Sequence, residues 1–151
     1  MKIESNDRKS YLNIEYVDCE IEKYPSVCVA ITVQDGDFRG YNKAVWFELD
    51  LLKNFIDNLK ILENNRKGSV SLNSMSPEEF EITIETYDLS GHMILNYKIS
   101  KYAYHIPKTK VVSLTGGFEL DVSFFMSIIS DFAYLADEKN YPPPKYPFIK
   151  E

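Results

Sequence analysis

The sequence predicts an α+β fold: a curved antiparallel sheet of six to seven strands in a meander, with two amphipathic helices packed on one face. Three observations carry that expectation. Apolar residues alternate with polar ones over several short runs, the period of strands with one dry face. Two segments switch to three- and four-residue steps, the period of a helix with one apolar stripe. Turn signals separate consecutive runs by only a few residues, so neighbours in sequence become antiparallel neighbours in space.

The first run starts at Tyr11. Leu12, Ile14 and Tyr16 fall on even positions, whereas Val17, Cys19 and Ile21 fall on odd ones. A strand keeps one face dry across such a change only if a residue is inserted, so a β-bulge is expected between Tyr16 and Val17. Tyr24-Pro25 marks a turn, and Val27, Val29, Ile31 and Val33 form the dry face of the next strand. Cys28 has the opposite parity and Cys19 shares the phase of Val17, which places the two thiols on opposite faces and argues against a disulfide. Asp35-Gly36 is a hairpin signal, because glycine reaches the positive φ of a tight turn. The returning strand, about Tyr41 to Glu48, is expected to set Tyr41, Val45 and Phe47 on one side and Trp46 on the other, with Trp46 either on the sheet face away from the helices or, in preference, anchoring the strand-to-helix corner.

The rhythm then changes. Asp50 is the expected N-cap of a helix whose stripe is Leu51, Leu52, Phe55, Ile56, Leu59 and Leu62, with Gly68 as the stop. Ser69 to Asn73 is a short polar strand. With Asp88-Leu89-Ser90-Gly91 as a hairpin loop, Phe80 meets Ile99, Ile82 meets Tyr97 and Ile84 meets Leu95 on one face. On the other, Glu81 meets Lys98 and Thr83 meets Asn96, so apolar groups pair with apolar ones and charge with opposite charge. Val111 to Leu120 is one more strand, in which Gly116-Gly117 implies a bulge or a close backbone approach. Asp121 is the expected cap of a second helix with a stripe of Val122, Phe125, Met126, Ile129, Phe132 and Ala133. The segment 140–151, Asn140-Tyr-Pro-Pro-Pro-Lys-Tyr-Pro-Phe and onward, is expected to be extended polyproline II, and its Pro144-Lys-Tyr-Pro147 fits the loose PxxP pattern.

A chain of 151 residues suits one domain, 1–151, able to remove roughly two-thirds of its unfolded surface from water. The amino-terminal residues lack the apolar stretch of a signal peptide, and no segment approaches the length of a membrane span, so a cytoplasmic location is expected. The two cysteines match no zinc spacing and are expected to be reduced. Net charge is −6, concentrated toward the amino terminus: residues 1–50 hold ten acids and six bases, residues 101–151 six of each. A field of that sign repels phosphate backbones and attracts basic proteins, so the expected partner is a basic protein and not nucleic acid or membrane.

Catalytic chemistry is not expected. His92 sits at a hairpin corner and His105 in a loop; no G-x-S-x-G nucleophile turn occurs. Glu20 with Glu22, and Glu78-Glu79 with Glu81, have no convergent His or Cys, so neither a metal nor another cofactor is expected. Asp35-Gly36-Asp37 lacks the downstream ligands of a calcium loop, and Gly116-Gly117 lacks the lysine and helix start of a phosphate loop.

Two segments carry a family resemblance. Phe38-Arg-Gly40 followed by Val45-Trp46-Phe-Glu-Leu-Asp-Leu-Leu-Lys-Asn-Phe55-Ile-Asp-Asn-Leu59 is similar to the F-x-G…W…L-x-x-F-x-x-x-L signature of WapI-type bacterial immunity proteins. Gly117-Phe-Glu-Leu-Asp-Val-Ser-Phe-Phe125, with the helix to Leu135, resembles that family's closing strand-to-helix passage. The resemblance covers roughly residues 26–136 and departs at the bulged first strand and the aromatic-proline tail. It implies a non-catalytic protein that binds and blocks a toxin domain of a polymorphic or contact-dependent inhibition system, a nuclease being one such toxin. Independently of the family, strand parity and loop position single out Glu15, Glu20, Glu22, Asp35, Asp37, Glu81 and Glu85 as outward acidic contacts for a basic partner, with Tyr87 as an aromatic anchor. The alternative is a module binding a small apolar ligand or carbohydrate through tyrosines of the open sheet face.

Overall fold

The computed structural model describes residues 1–104 and 108–142, side chain of Tyr104 excepted. It is α+β with two helices, but its strands form two antiparallel sheets instead of one. The first sheet is β1 (Lys2–Glu4), β2 (Ser10–Glu20), β3 (Ser26–Asp35) and β4 (Phe38–Glu48), in that order; the second is β5 (Ser69–Asn73), β6 (Phe80–Thr86), β7 (Met93–Tyr104) and β8 (Thr109–Leu120). Helix α1 (Leu49–Asn65) connects them, and α2 (Phe125–Ala136) follows β8. Each sheet is a meander. The alternation of apolar residues shows only that each strand has one dry face, and that pattern is the same for a single curved layer as for two sheets that share a core. Separation arises because α1 intervenes between β4 and β5, so the chain starts a fresh edge where it returns.

The inner faces meet in one contiguous core. Val27, Val29, Ile31, Val33, Val45 and Phe47 come from the first sheet, and Ile82, Ile84, Leu95, Ile99, Phe118 and Leu120 from the second. Phe47 and Phe80 cross between the sheets edge to face, ring centroids 5.9 Å apart. The helices do not lie together on one sheet face as expected: α1 packs against β4 and β5, one strand of each sheet, and α2 packs against α1. The sheets also touch at their margins, where Ser5 bridges Leu120 and the Met75 N–H donates to the Trp46 carbonyl at 2.8 Å.

Local expectations fare unevenly. The bulge in β2 is present, the register stepping between Tyr16 and Asp18. The β6–β7 ladder has the expected register throughout, from Phe80 opposite Ile99 to Ile84 opposite Leu95. Gly36 takes φ +58°, as its hairpin requires. Gly116-Gly117 forms no bulge, since β7 and β8 stay in register across it. Close approach is the reason for the glycines: a Cβ on Gly116 would stand 2.5 Å from the Tyr97 hydroxyl and 2.7 Å from Asp35.

A second bulge, in β4, escapes the sequence. The register steps between Val29 and Ile31, with Val45 opposite the first and Asn42 opposite the second. Asn42 therefore faces inward, 6% exposed, and Tyr41 faces solvent instead of the core. The Asn42 side-chain Oδ1 accepts from Ala44 N at 3.1 Å, which holds the inserted residues in place. Strand β1 was also unexpected, being too short to show alternation, although its Ile3 is buried. Trp46 lies opposite Cys28 on the face away from Phe47, half-buried.

Helix ends differ from expectation too. Glu48 is the N-cap of α1 and makes no side-chain cap, while Asp50 sits one residue into the helix, where its charge complements the exposed N–H groups. The helix stops at Arg66 and not at Gly68. Arg66 takes the left-handed conformation, φ 54°, and its side chain donates to the carbonyl and carboxylate of Glu63. Asp121 does cap, accepting from Ser123 N at 3.0 Å, but what it caps is a 3-10 turn, Val122–Phe124, that leads into α2. Leu51, Met126 and Ala133 are exposed, and the buried stripes run instead through Leu49 in α1 and through Ile128, Leu135 and Ala136 in α2. Asn140, expected in the extended tail, ends a second 3-10 turn, Glu138–Asn140. Residues 143–151, with Pro144 and Pro147, and His105 lie outside the described residues.

Candidate partner-binding surface

The eight residues singled out for partner contact are not gathered in one place. Glu15 is exposed beside the buried Ile14 of β2, on the outer face of the first sheet. Glu20 and Glu22 border the β2–β3 turn, where a Glu20 carboxylate oxygen accepts from the N–H groups of Glu22 and Lys23 at 3.0 and 3.4 Å. Asp37 is exposed in the β3–β4 hairpin. Glu81 and Glu85 lie on the outer face of the second sheet; Glu81 is exposed and Glu85 accepts from Asn96 Nδ2 at 2.9 Å. Tyr87, also exposed, stacks on His92 with centroids 6.0 Å apart.

Asp35 has a different setting. It is half-buried at the end of β3, accepting from Ser10 Oγ at 2.9 Å and from Tyr97 Oη at 2.6 Å. It thus ties the first sheet to β7 of the second. Burial, and then the charge-bearing hydrogen bond to Asp35, push the Tyr97 phenol well above its ordinary pKa. A second tie runs through Asn42, whose Nδ2 donates to Glu79 Oε1 at 2.9 Å and to the Ser100 carbonyl at 3.3 Å. Replacing Tyr97 with Phe should destabilise the protein by about 1.5–3 kcal/mol, because the half-buried carboxylate loses a donor that water reaches poorly. Urea unfolding checks this; a change below about half a kcal/mol would mean the tie is idle.

The thiols are both free, Cys28 buried and Cys19 half-exposed. Burial pushes the Cys28 thiol up to about 11, with Asp18 and Glu79 adding to the effect. It is therefore an unreactive, structural thiol. A thiol-reactive dye at neutral pH should modify Cys19 first and reach Cys28 only at the rate of unfolding, and equal labelling rates in the folded protein would contradict that assignment.

His92 sits at the hairpin corner with Asp88, whose carboxylate accepts from the backbone N–H groups of Ser90 and His92 and pairs with the His92 ring. That pairing raises the imidazole pKa and lowers that of the carboxyl. The pair is a local staple of an exposed loop. Among the described residues, no three His, Cys, Asp or Glu side chains come together as a metal site, and no helix is long and apolar enough to cross a membrane.

A concavity exists where none was expected. Between β2 and α2 lies a groove of about 480 Å³ lined by Met1, Ile14, Glu15, Tyr16, Asp131, Tyr134, Leu135, Asn140 and Tyr141. Tyr16 and Tyr141 pack ring against ring at 5.2 Å, and Tyr141 Oη donates to the Leu135 carbonyl at 2.6 Å. Sequence reasoning found only Glu15 of this set. Tyr134 and Asp131 occupy the polar face of α2, where a helical pattern assigns them to solvent and says nothing of the strand alongside.

Searches of curated proteins and of solved structures found no match. A family model does match, that of the Immunity protein WapI-like family, over residues 3–138, a span that includes both sheets and both helices. The chain belongs to the WapI-like family of immunity proteins.

Proposed function

We propose that this protein binds a cognate bacterial toxin domain in the cytoplasm and neutralises it without turnover, by steric and electrostatic occlusion. The carrying observation is the family match over nearly the whole chain, since immunity proteins act by toxin neutralisation. The net charge of −6 supports a basic partner, such as the substrate cleft of a nuclease, whose cationic lining suits phosphates. An acidic inhibitor complements such a cleft, and the complementarity speeds encounter and rejects wrong partners. Exposed Glu15, Glu22, Asp37 and Glu81 are available for steering; Glu20, Glu85 and Tyr87 are secondary contacts, and Asp35 acts by fixing the sheets from which the others project.

Co-expression tests the reading. Cells producing a toxin domain encoded beside this protein should grow when it is present, and the two should co-purify in one-to-one ratio with an association rate that falls steeply as salt rises. Failure to rescue growth together with failure to form a complex would end it. The alternative, a small apolar ligand or carbohydrate on the open sheet face, makes the opposite forecast of binding without any toxin.

A further inference from the structure

We propose that the groove between β2 and α2 is the socket for an arginine side chain of the toxin domain. The proposal rests on the immunity reading for its partner, but the chemistry of the socket stands on this chain alone. The floor is apolar, made by Ile14 and Leu135, both buried. Three phenol rings, Tyr16, Tyr134 and Tyr141, form the walls, and Glu15 and Asp131 place carboxylates at the rim. Tyr134 is 67% exposed and Glu15 and Asp131 are exposed, so among the described residues the rim is open to a side chain from another protein.

Charge and shape then select the occupant. On the groove wall the cationic group among the described residues is the Met1 amine, and it donates to the Ile14 carbonyl at 2.7 Å. Burial first, and then Cys19 and Asp18, raise the pKa of the Tyr16 phenol; burial first, and then Cys19, Glu138 and Asp137, raise that of Tyr141. The carboxylates on the groove itself come from β2, as Glu15, and from α2, as Asp131. Aromatic faces attract cations, and a guanidinium stacks on a ring while its edge donates to carboxylates in the same plane. A lysine ammonium is a strongly hydrated point charge and gains less from flat walls. An aliphatic residue would fill the floor but leave the rim carboxylates without partners.

None of the eight residues first singled out except Glu15 contributes here, which makes the socket testable apart from general acidity. The first arm uses no toxin: N-acetyl-arginine amide is titrated into the full chain by NMR, with N-acetyl-citrulline amide as the neutral isostere and N-acetyl-lysine amide as the point charge. Expected are saturable shifts of the Tyr134 and Tyr141 ring signals with the arginine probe, and binding at least about tenfold weaker for citrulline, the factor that corresponds to one lost charge-assisted contact. Equal shifts with citrulline, or no saturable shift, overturn the proposal.

In the second arm, Tyr134→Ala and Asp131→Asn, both at exposed positions, are compared with Glu78→Gln, an exposed acid away from the groove, for affinity to the co-purifying toxin domain, their folding checked by thermal unfolding. The socket variants should each lose at least about tenfold, mostly in dissociation rate, and Glu78→Gln less than about threefold. Tight toxin binding unchanged by both socket variants overturns the socket and leaves the immunity reading intact. Absence of any toxin binding by the wild-type chain sinks the immunity reading and with it the toxin as occupant, while the arginine titration still decides what the groove binds.

Discussion

Ile82→Lys is expected to destabilise the protein by about 3–5 kcal/mol, whereas Thr83→Lys, one residue along, should change stability by less than about 1 kcal/mol. Ile82 is fully buried, opposite Tyr97 across the β6–β7 ladder and inside the core that both sheets share. A lysine there has no buried carboxylate to meet, so it either stays charged without water or gives up its proton; both cost free energy. Thr83 points to the other face, half-buried, where its hydroxyl shares a hydrogen bond with Ser71 at 2.9 Å. A lysine at that position loses one exposed hydrogen bond but stands on the same face as Glu81 and Glu85. Equilibrium urea unfolding reads both changes. Should the Ile82 variant be too unstable to measure, Ile82→Ala supplies a milder cut of about 2–5 kcal/mol. Similar losses at positions 82 and 83 would mean that the parity of β6 is misassigned.

That contrast tests the part of the fold most legible in the sequence. The β6–β7 hairpin could be read because its loop fixes the register and both faces then report on it independently, apolar with apolar and Glu81 with Lys98. Element order was readable for the same reason, since periodicity is a local property. What the sequence could not show is the relation between elements that are distant along the chain. Whether β4 and β5 share a sheet depends on where α1 sets the chain down, and no pattern within either strand encodes that. The β4 bulge was hidden because its inward residue is Asn42, a polar side chain made tolerable in the core by partners from the second sheet, Glu79 and the Ser100 carbonyl.

The candidate surface shows the same division. Exposure of Glu15, Asp37 and Glu81 followed from parity and loop position, whereas the role of Asp35 turns on Tyr97, sixty-two residues away. A hairpin aspartate beside glycine has every local feature of a solvated turn residue. The groove was illegible for a further reason. Its walls come from β2, α2 and the turn after α2, and tyrosines on the exposed arc of a helix carry no mark of the strand they face.

Phe132→Ala is the second large effect, expected at about 3–5 kcal/mol. Phe132 is fully buried in α2 and meets Phe55 of α1 edge to face, centroids 5.1 Å apart and planes at 84°. Truncation removes most of a ring from the contact between the helices and leaves a cavity that the two sheets, held by their ladders, cannot collapse to fill. The loss should fall unevenly. Helix α2 has twelve residues, too few to persist in water without its packed face, so its opening free energy depends directly on residues such as Phe132. Hydrogen exchange in α2 should therefore accelerate by a larger factor than in β6 and β7. Asp131, Tyr134 and Leu135 share that helix, so the groove beside β2 should open with it, and binding of the arginine probe should weaken although Phe132 does not itself line the groove. A double-mutant cycle with Phe55→Ala should return a coupling of about 0.5–1.5 kcal/mol. A cost below about 1.5 kcal/mol, with exchange in α2 unaltered, would show that α2 is held by something other than its contact with α1, and the link between helix docking and groove would be lost.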